Sequence, residues 1–117
     1  MPKSAFNLTR LPVAGVQPAE KPANMDVLER FGANLLRIRQ ARRLSQESLA
    51  ERAGIHRTQI SLFETGQRQP LLETFVRLAG ALEVPLSTLL EGIAFKPGPA
   101  GGEFLVSDPP ELPRIGS

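Results

Sequence analysis

The sequence predicts an all-α fold of five short helices, flanked at both ends by proline- and glycine-rich extensions. Three observations lead there. Apolar residues recur at helical spacing through the middle of the chain. The 11 prolines and 10 glycines of its 117 residues are unevenly spread: residues 27–69 contain no proline, whereas 1–26 hold four and 93–117 hold five. Hydrophobic residues make up 41% of the chain, enough for one modest core and no more.

Each element has its own signal. Residues 1–25 are rich in proline and alanine without a sustained period and read as a flexible arm, within which Met25 is a candidate alternative start. Asp26 followed by Glu29 is a variant of the capping box. Leu28, Phe31, Leu35 and Ile38 then form one apolar stripe, giving a first helix over about 27–42. Ser45 caps a second helix, with Gln46 and Glu47 in its first turn and Leu49, Ala50 and Ala53 on its inner face. Gly54 ends that helix, where a left-handed turn favours a residue without Cβ. A third helix spans about 56–65 and stops at Gly66. After Pro70, Leu72, Phe75, Leu78, Ala79 and Leu82 line one side of a fourth. Pro85 opens a short fifth helix that ends at Gly92. Residues 26–92 thus form the domain, and 93–117 form a tail. In that tail, "IAFK" and "EFLVS" either pair as a small hairpin or belong to a disordered segment; both remain open.

Composition closes off several functions. There is no cysteine and one histidine, so no disulfide, no thiolate site and no zinc cluster is expected, and no cofactor. With neither paired core carboxylates nor a glycine-rich phosphate loop, an enzyme is not expected. No run of roughly 18 apolar residues and no leader pattern occurs, so the expectation is a cytoplasmic protein without membrane contact. The net charge is only +2, although the sequence pI is about 9.7. Its distribution matters more. Over residues 27–92, nine arginines face seven glutamates, with no lysine or aspartate.

The stretch "LSQESLAERAGIHRTQISLFETG" (44–66) carries the function. A small residue at Ala50, a turn at Gly54 and Ile60 closing the corner are the layout of two helices joined so that the second stands outward. At 100° per residue, Ile60, Phe63 and His56 fall on the inner side of that second helix. Arg57, Thr58, Ser61 and Leu62 point away from it or can swing away.

From Leu28 to Gly92 the chain resembles the phage-repressor and Cro-like helix-turn-helix family, also called the Xre family. The resemblance rests on "R-x-x-R-x-LSQ-x-x-LA", then "AG", "I-x-x-x-E-x-G", a proline and "L-x-x-LA-x-ALEV". It implies a lambda-repressor-like DNA-binding domain, a transcriptional regulator of the repressor type, and double-stranded DNA as partner. The outward side of the third helix would then enter the major groove. Arg57 suits guanine, Thr58 and Leu62 offer methyl groups to thymine, and Thr58 and Ser61 offer hydroxyls. Gln46 would hold a phosphate at the start of the second helix, His56 would be a cap or phosphate neighbour, and Thr65, Gln67 and Arg68 would grip the backbone. Three positions depart from the family pattern. His56 stands where serine, threonine or asparagine usually caps the reading helix. Leu62 stands within that helix where many relatives place a polar side chain, and Leu71 replaces the usual polar cap of the fourth helix.

Two further expectations come from the resemblance. Arg39 and Glu64 match positions that form an ion pair between the first and third helices. Leu86, Leu89, Leu90, Ile93 and Phe95 lie at the end through which the family often dimerises, which makes a homodimer the expected assembly. A different class of function stays open, that of an antitoxin or adaptor-type module binding a partner protein through its tails.

Overall fold

The computed structural model describes residues 23–107, with side chains from Val27 onward. Residues 1–22 and 108–117, and with them most of the expected arm and the end of the tail, lie outside the described residues. Five helices and a two-stranded sheet follow in order: α1 (Ala23–Ala41), α2 (Gln46–Ala53), α3 (Arg57–Glu64), α4 (Leu72–Leu82), α5 (Leu86–Leu89), β1 (Ile93–Lys96) and β2 (Glu103–Val106).

Helix α1 begins at Ala23, so Asp26 sits inside it and is not its N-cap. Nothing at Ala23, Asn24 or Met25 bars a helix, and the backbone stays helical back to the residue after the arm's last proline. The stripe on α1 is as its spacing demands: Phe31, Leu35 and Ile38 are buried. They meet Leu49 of α2, Ile60 and Phe63 of α3, and Leu78 and Leu82 of α4 in one core. Each such side chain contributes about 1.5–3 kcal/mol by leaving water. The Phe31 ring meets those of Phe63 and Phe75, at centroid distances of 6.5 and 5.9 Å. Gly32 lets α1 and the end of α3 touch backbone to backbone. A Cβ there would lie 2.5 Å from the Phe63 carbonyl oxygen and 2.7 Å from that of Glu64.

Helix α5 is shorter than expected, a single turn from Leu86 to Leu89 capped by Leu90. The tail then forms a hairpin. Strands β1 and β2 pair antiparallel, with Ile93 opposite Val106, Phe95 opposite Phe104, and Lys96 opposite Glu103. Ile93 packs against the core, while Phe95 and Phe104 meet edge to face at 5.2 Å, each about half exposed.

A buried polar staple ties this hairpin to α1. The Arg30 guanidinium, 4% exposed, donates from Nε to Asn34 Oδ1 and the Glu91 carbonyl, both at 3.0 Å, and from Nη1 to the Ser107 carbonyl at 2.8 Å. Asn34 Nδ2 donates to the carbonyls of Leu89 and Glu91, both at 2.9 Å. Gly92, at φ 85°, passes so close to this guanidinium that a Cβ would collide with it.

Candidate functional site

Ser45 starts α2 by accepting the Ser48 backbone N–H on its hydroxyl at 3.0 Å. At the far end Gly54 adopts φ 74° and ψ 35°, in the left-handed region. Its N–H reaches the Glu51 carbonyl, and the Ile55 N–H reaches that of Ala50 at 3.0 Å. This pair of bonds is the Schellman closure that a glycine favours. The chain turns there and re-enters a helix at Arg57. His56 is the N-cap of α3 and makes no side-chain cap bond. Being outside the helix, it is exposed; the inward placement from helical spacing does not apply to it.

Ile60 and Phe63 anchor α3, at 0% and 2% exposure. Arg57 and Thr58 are exposed on its first turn, and Ser61 and Leu62 are half-buried further along. Thr65 is not part of the helix; it is the C-cap, with its hydroxyl donating to the Ser61 carbonyl at 2.9 Å. Gln67 donates to that same hydroxyl at 2.8 Å. Gln67, Arg68 and Gln69 are all exposed. The structure therefore brings Arg57, Thr58, Thr65, Gln67 and Arg68 to the surface, with His56 beside them.

Behind that surface runs a continuous polar chain. Arg39 of α1 grips Glu64 with two bonds, Nε to Oε2 at 2.6 Å and Nη2 to Oε1 at 3.1 Å, and its Nη1 donates to the Leu44 carbonyl at 2.8 Å. The two side chains are 12% and 4% exposed. Gln46 Nε2 donates to Glu64 Oε1 at 3.0 Å, and Gln46 Oε1 accepts from Arg57 Nη1 at 3.3 Å. Glu47 completes the series, its Oε2 3.5 Å from Arg57 Nε. Gln46 is thus half-buried between α3 and the core pair, in addition to standing at the start of α2.

Helical spacing reports which side of one helix faces inward, so Arg57 and Thr58 could be named from sequence. The contacts of Gln46 and Glu47 run between helices and leave no trace in either helix's period. Arg30 and Asn34 were also missed. Their only signal is a polar pair four residues apart beside the apolar stripe of α1.

At the expected dimer surface the structure divides the residues. Leu86, Leu90 and Phe95 are exposed at 42%, 42% and 51%, whereas Leu89 is fully buried. Leu89 therefore belongs to the chain's own core, because the single turn of α5 needs one apolar anchor. Ile93 is half-buried on that core. Among the described residues there is no group of acidic, histidine or cysteine side chains that could hold a metal ion, and no helix long and apolar enough to cross a membrane.

The helix-turn-helix family model matches residues 35–89, from the middle of α1 to the end of α5. The control protein C.SmaI of Serratia marcescens is 41% identical over 66 residues, 56% of this chain and 79% of that protein. An uncharacterized HTH-type transcriptional regulator of Bacillus subtilis, YqaE, is 34% identical over 62 residues; these are 53% of this chain and only 53%, about half, of that relative. The crystal structure of the restriction-modification controller protein C.AhdI from Aeromonas hydrophila superposes with a TM-score of 0.52 at 39% identity. It covers 53% of this chain and 94% of its own. With a matching motif, a matching fold and a relative 41% identical that is matched over 79% of its length, this chain belongs to the Xre-like helix-turn-helix family.

Proposed function

We propose that this chain is a sequence-specific, double-stranded DNA-binding transcriptional regulator that acts as a homodimer, with α3 in the major groove. One observation carries the reading. The exposed first turn of α3, with Arg57 and Thr58, lies next to the first turn of α2, and the exposed segment Thr65–Gln69 follows at the other end of α3. A helix presented this way offers base-reading side chains from its N-terminal turn and phosphate-holding groups on the segments that flank it. The hairpin folds onto its own α1 through the Arg30 bonds, which favours a regulatory domain over a module whose tail is given to another protein.

The homodimer has a physical motive. A single recognition helix spans a few base pairs, and a twofold pair about 34 Å apart doubles the sequence it reads. Leu86, Leu90 and Phe95 remain the proposed contact, joined now by Phe104, which is 44% exposed and packs on Phe95; Leu89 is withdrawn from it.

Selection of bound fragments from a random duplex pool, followed by gel-shift titration, tests the reading. A symmetric pair of half-sites is expected, with affinity falling steeply between about 50 and 200 mM salt. Arg57→Ala should cost roughly 10- to 100-fold on the selected duplex and far less on random duplex, the range of one lost bidentate guanine contact. Equal losses on both would move Arg57 to the phosphate contacts. Recovery of no preferred sequence would overturn the proposal.

A further inference from the structure

The bonds around Arg57 decide how it can be used. Glu64 is a carboxylate and only accepts, so the amide of Gln46 must turn its Nε2 toward it, at 3.0 Å. That leaves Gln46 Oε1 facing outward, where it accepts a hydrogen bond from Arg57 Nη1 at 3.3 Å. The carboxylate of Glu47 stands on the other side of the same guanidinium, 3.5 Å from Nε. Glu64 itself cannot drift, because Arg39 holds both its oxygens. Arg57 is therefore held at two points by α2, although its own side chain is half exposed.

A guanidinium has five N–H donors. With Nε turned to Glu47 and one hydrogen of Nη1 on Gln46, both hydrogens of Nη2 and the second of Nη1 stay free. Those two nitrogens are the fork that reads guanine O6 and N7 end-on. The grip and the reading are thus compatible in one geometry.

We infer that Glu47, with Gln46, is a specificity-determining positioning residue, which holds Arg57 in its reading pose and keeps it off neighbouring phosphates. The inference deepens the DNA-binding reading proposed above and rests on it. Two effects act in the same direction. A pre-set side chain loses less freedom on meeting its base, which favours the cognate site. The Glu47 charge occupies the guanidinium that a random duplex would otherwise draw to its backbone, which weakens non-cognate binding. A latch, in which Arg57 must leave Glu47 before reading, behaves differently. Breaking an ion pair for the cognate contact would add its cost to cognate binding first, so removing Glu47 would leave specificity unchanged or raise it.

The test compares affinities of the full chain for a selected duplex and a random duplex of equal length, for the wild type, Glu47→Gln, Arg57→Ala and the double variant. Thermal unfolding of each variant checks that the domain is intact. Glu47→Gln is expected to tighten random binding about threefold while cognate binding stays unchanged or weakens by less than about twofold, so the specificity ratio falls about three- to fivefold, the range of one exposed charge pair. In the Arg57→Ala background the same change should move both duplexes alike. A ratio that holds or rises in Glu47→Gln overturns the positioning role, as does an equal fall in the Arg57→Ala background. Failure of the DNA reading itself is distinguishable, because no selected duplex would then exist. An unchanged ratio for Arg57→Ala on a selected duplex would instead overturn this inference alone, by moving Arg57 to the phosphate contacts.

Discussion

Arg39 and Glu64 form a bidentate ion pair between α1 and α3. Both are nearly withdrawn from water, at 12% and 4% exposure, and they join α1 to the end of α3 where Gly32 already brings the two backbones together. Removing one partner leaves the other charged and unanswered inside the fold. Glu64→Ala is therefore expected to cost about 3–5 kcal/mol, measurable as a fall in the urea midpoint. Replacing both, as Arg39→Met with Glu64→Leu, should recover much of that stability, since apolar groups of similar size carry no desolvation penalty. Sequence-specific binding should not recover with it, because the amide of Gln46 then has no acceptor at 3.0 Å to fix its direction. A double variant that regained both would show that the pair serves only the fold. Such effects were beyond the reach of spacing arguments: "R" at 39 and "E" at 64 are legible as a matched pair through family resemblance, but their extension to Gln46, Arg57 and Glu47 needs the helices placed in space.

Helices α1 to α4 end alike. Each closes with paired bonds from two consecutive backbone N–H groups just past its end, Arg43 and Leu44 for α1, Gly54 and Ile55 for α2, Gly66 and Gln67 for α3, Glu83 and Val84 for α4. Only Gly54 and Gly66 announced this in the sequence. Arg43 and Glu83 adopt φ of 60° and 59° with a full side chain, so the ends of α1 and α4 carried no glycine signal and their limits could be read only loosely. The start of α1 was misplaced for a related reason: Asp26 and Glu29 have the spacing of a cap, yet a cap forms only where the preceding backbone leaves the helix. The left-handed conformation disfavours a side chain by about 1–2 kcal/mol, partly offset by the greater freedom glycine loses on folding. Arg43→Gly is thus expected to stabilise the domain by roughly 0.5–1 kcal/mol. Glu83→Gly should gain less, since it also gives up the exposed contact to Arg52 at 3.3 Å. Denaturant midpoints that fall for Arg43→Gly would mean its side chain contributes more than its backbone conformation costs.

For the whole molecule, the question is what makes the hairpin part of the domain. Strands β1 and β2 are four residues each and expose most of their side chains, and an isolated two-stranded hairpin is marginal in water. "IAFK" and "EFLVS" left a hairpin and a disordered tail equally open, because what decides between them is the attachment to Arg30, a charged residue that composition rules place on the surface. The guanidinium instead ends among carbonyl oxygens of Glu91 and Ser107, which flank the hairpin on both sides. Arg30→Met keeps the stem's volume and removes those donors. The Ser107 carbonyl then loses its bond, while that of Glu91 keeps Asn34. Backbone hydrogen exchange over residues 93–106 is expected to accelerate by one or more orders of magnitude, roughly the effect of about 1.5–3 kcal/mol in lost bonds to a charged donor. Exchange within α2 and α3 should change far less, as their contacts run to α1 and α4 through apolar side chains. If the proposed homodimer is built on Leu86, Leu90, Phe95 and Phe104, the same variant should also sediment with a weaker self-association, because two of those four residues ride on the hairpin. Uniform acceleration across all helices would instead make Arg30 a support of the entire core, and an unchanged sedimentation profile beside a loosened hairpin would separate the dimer from it.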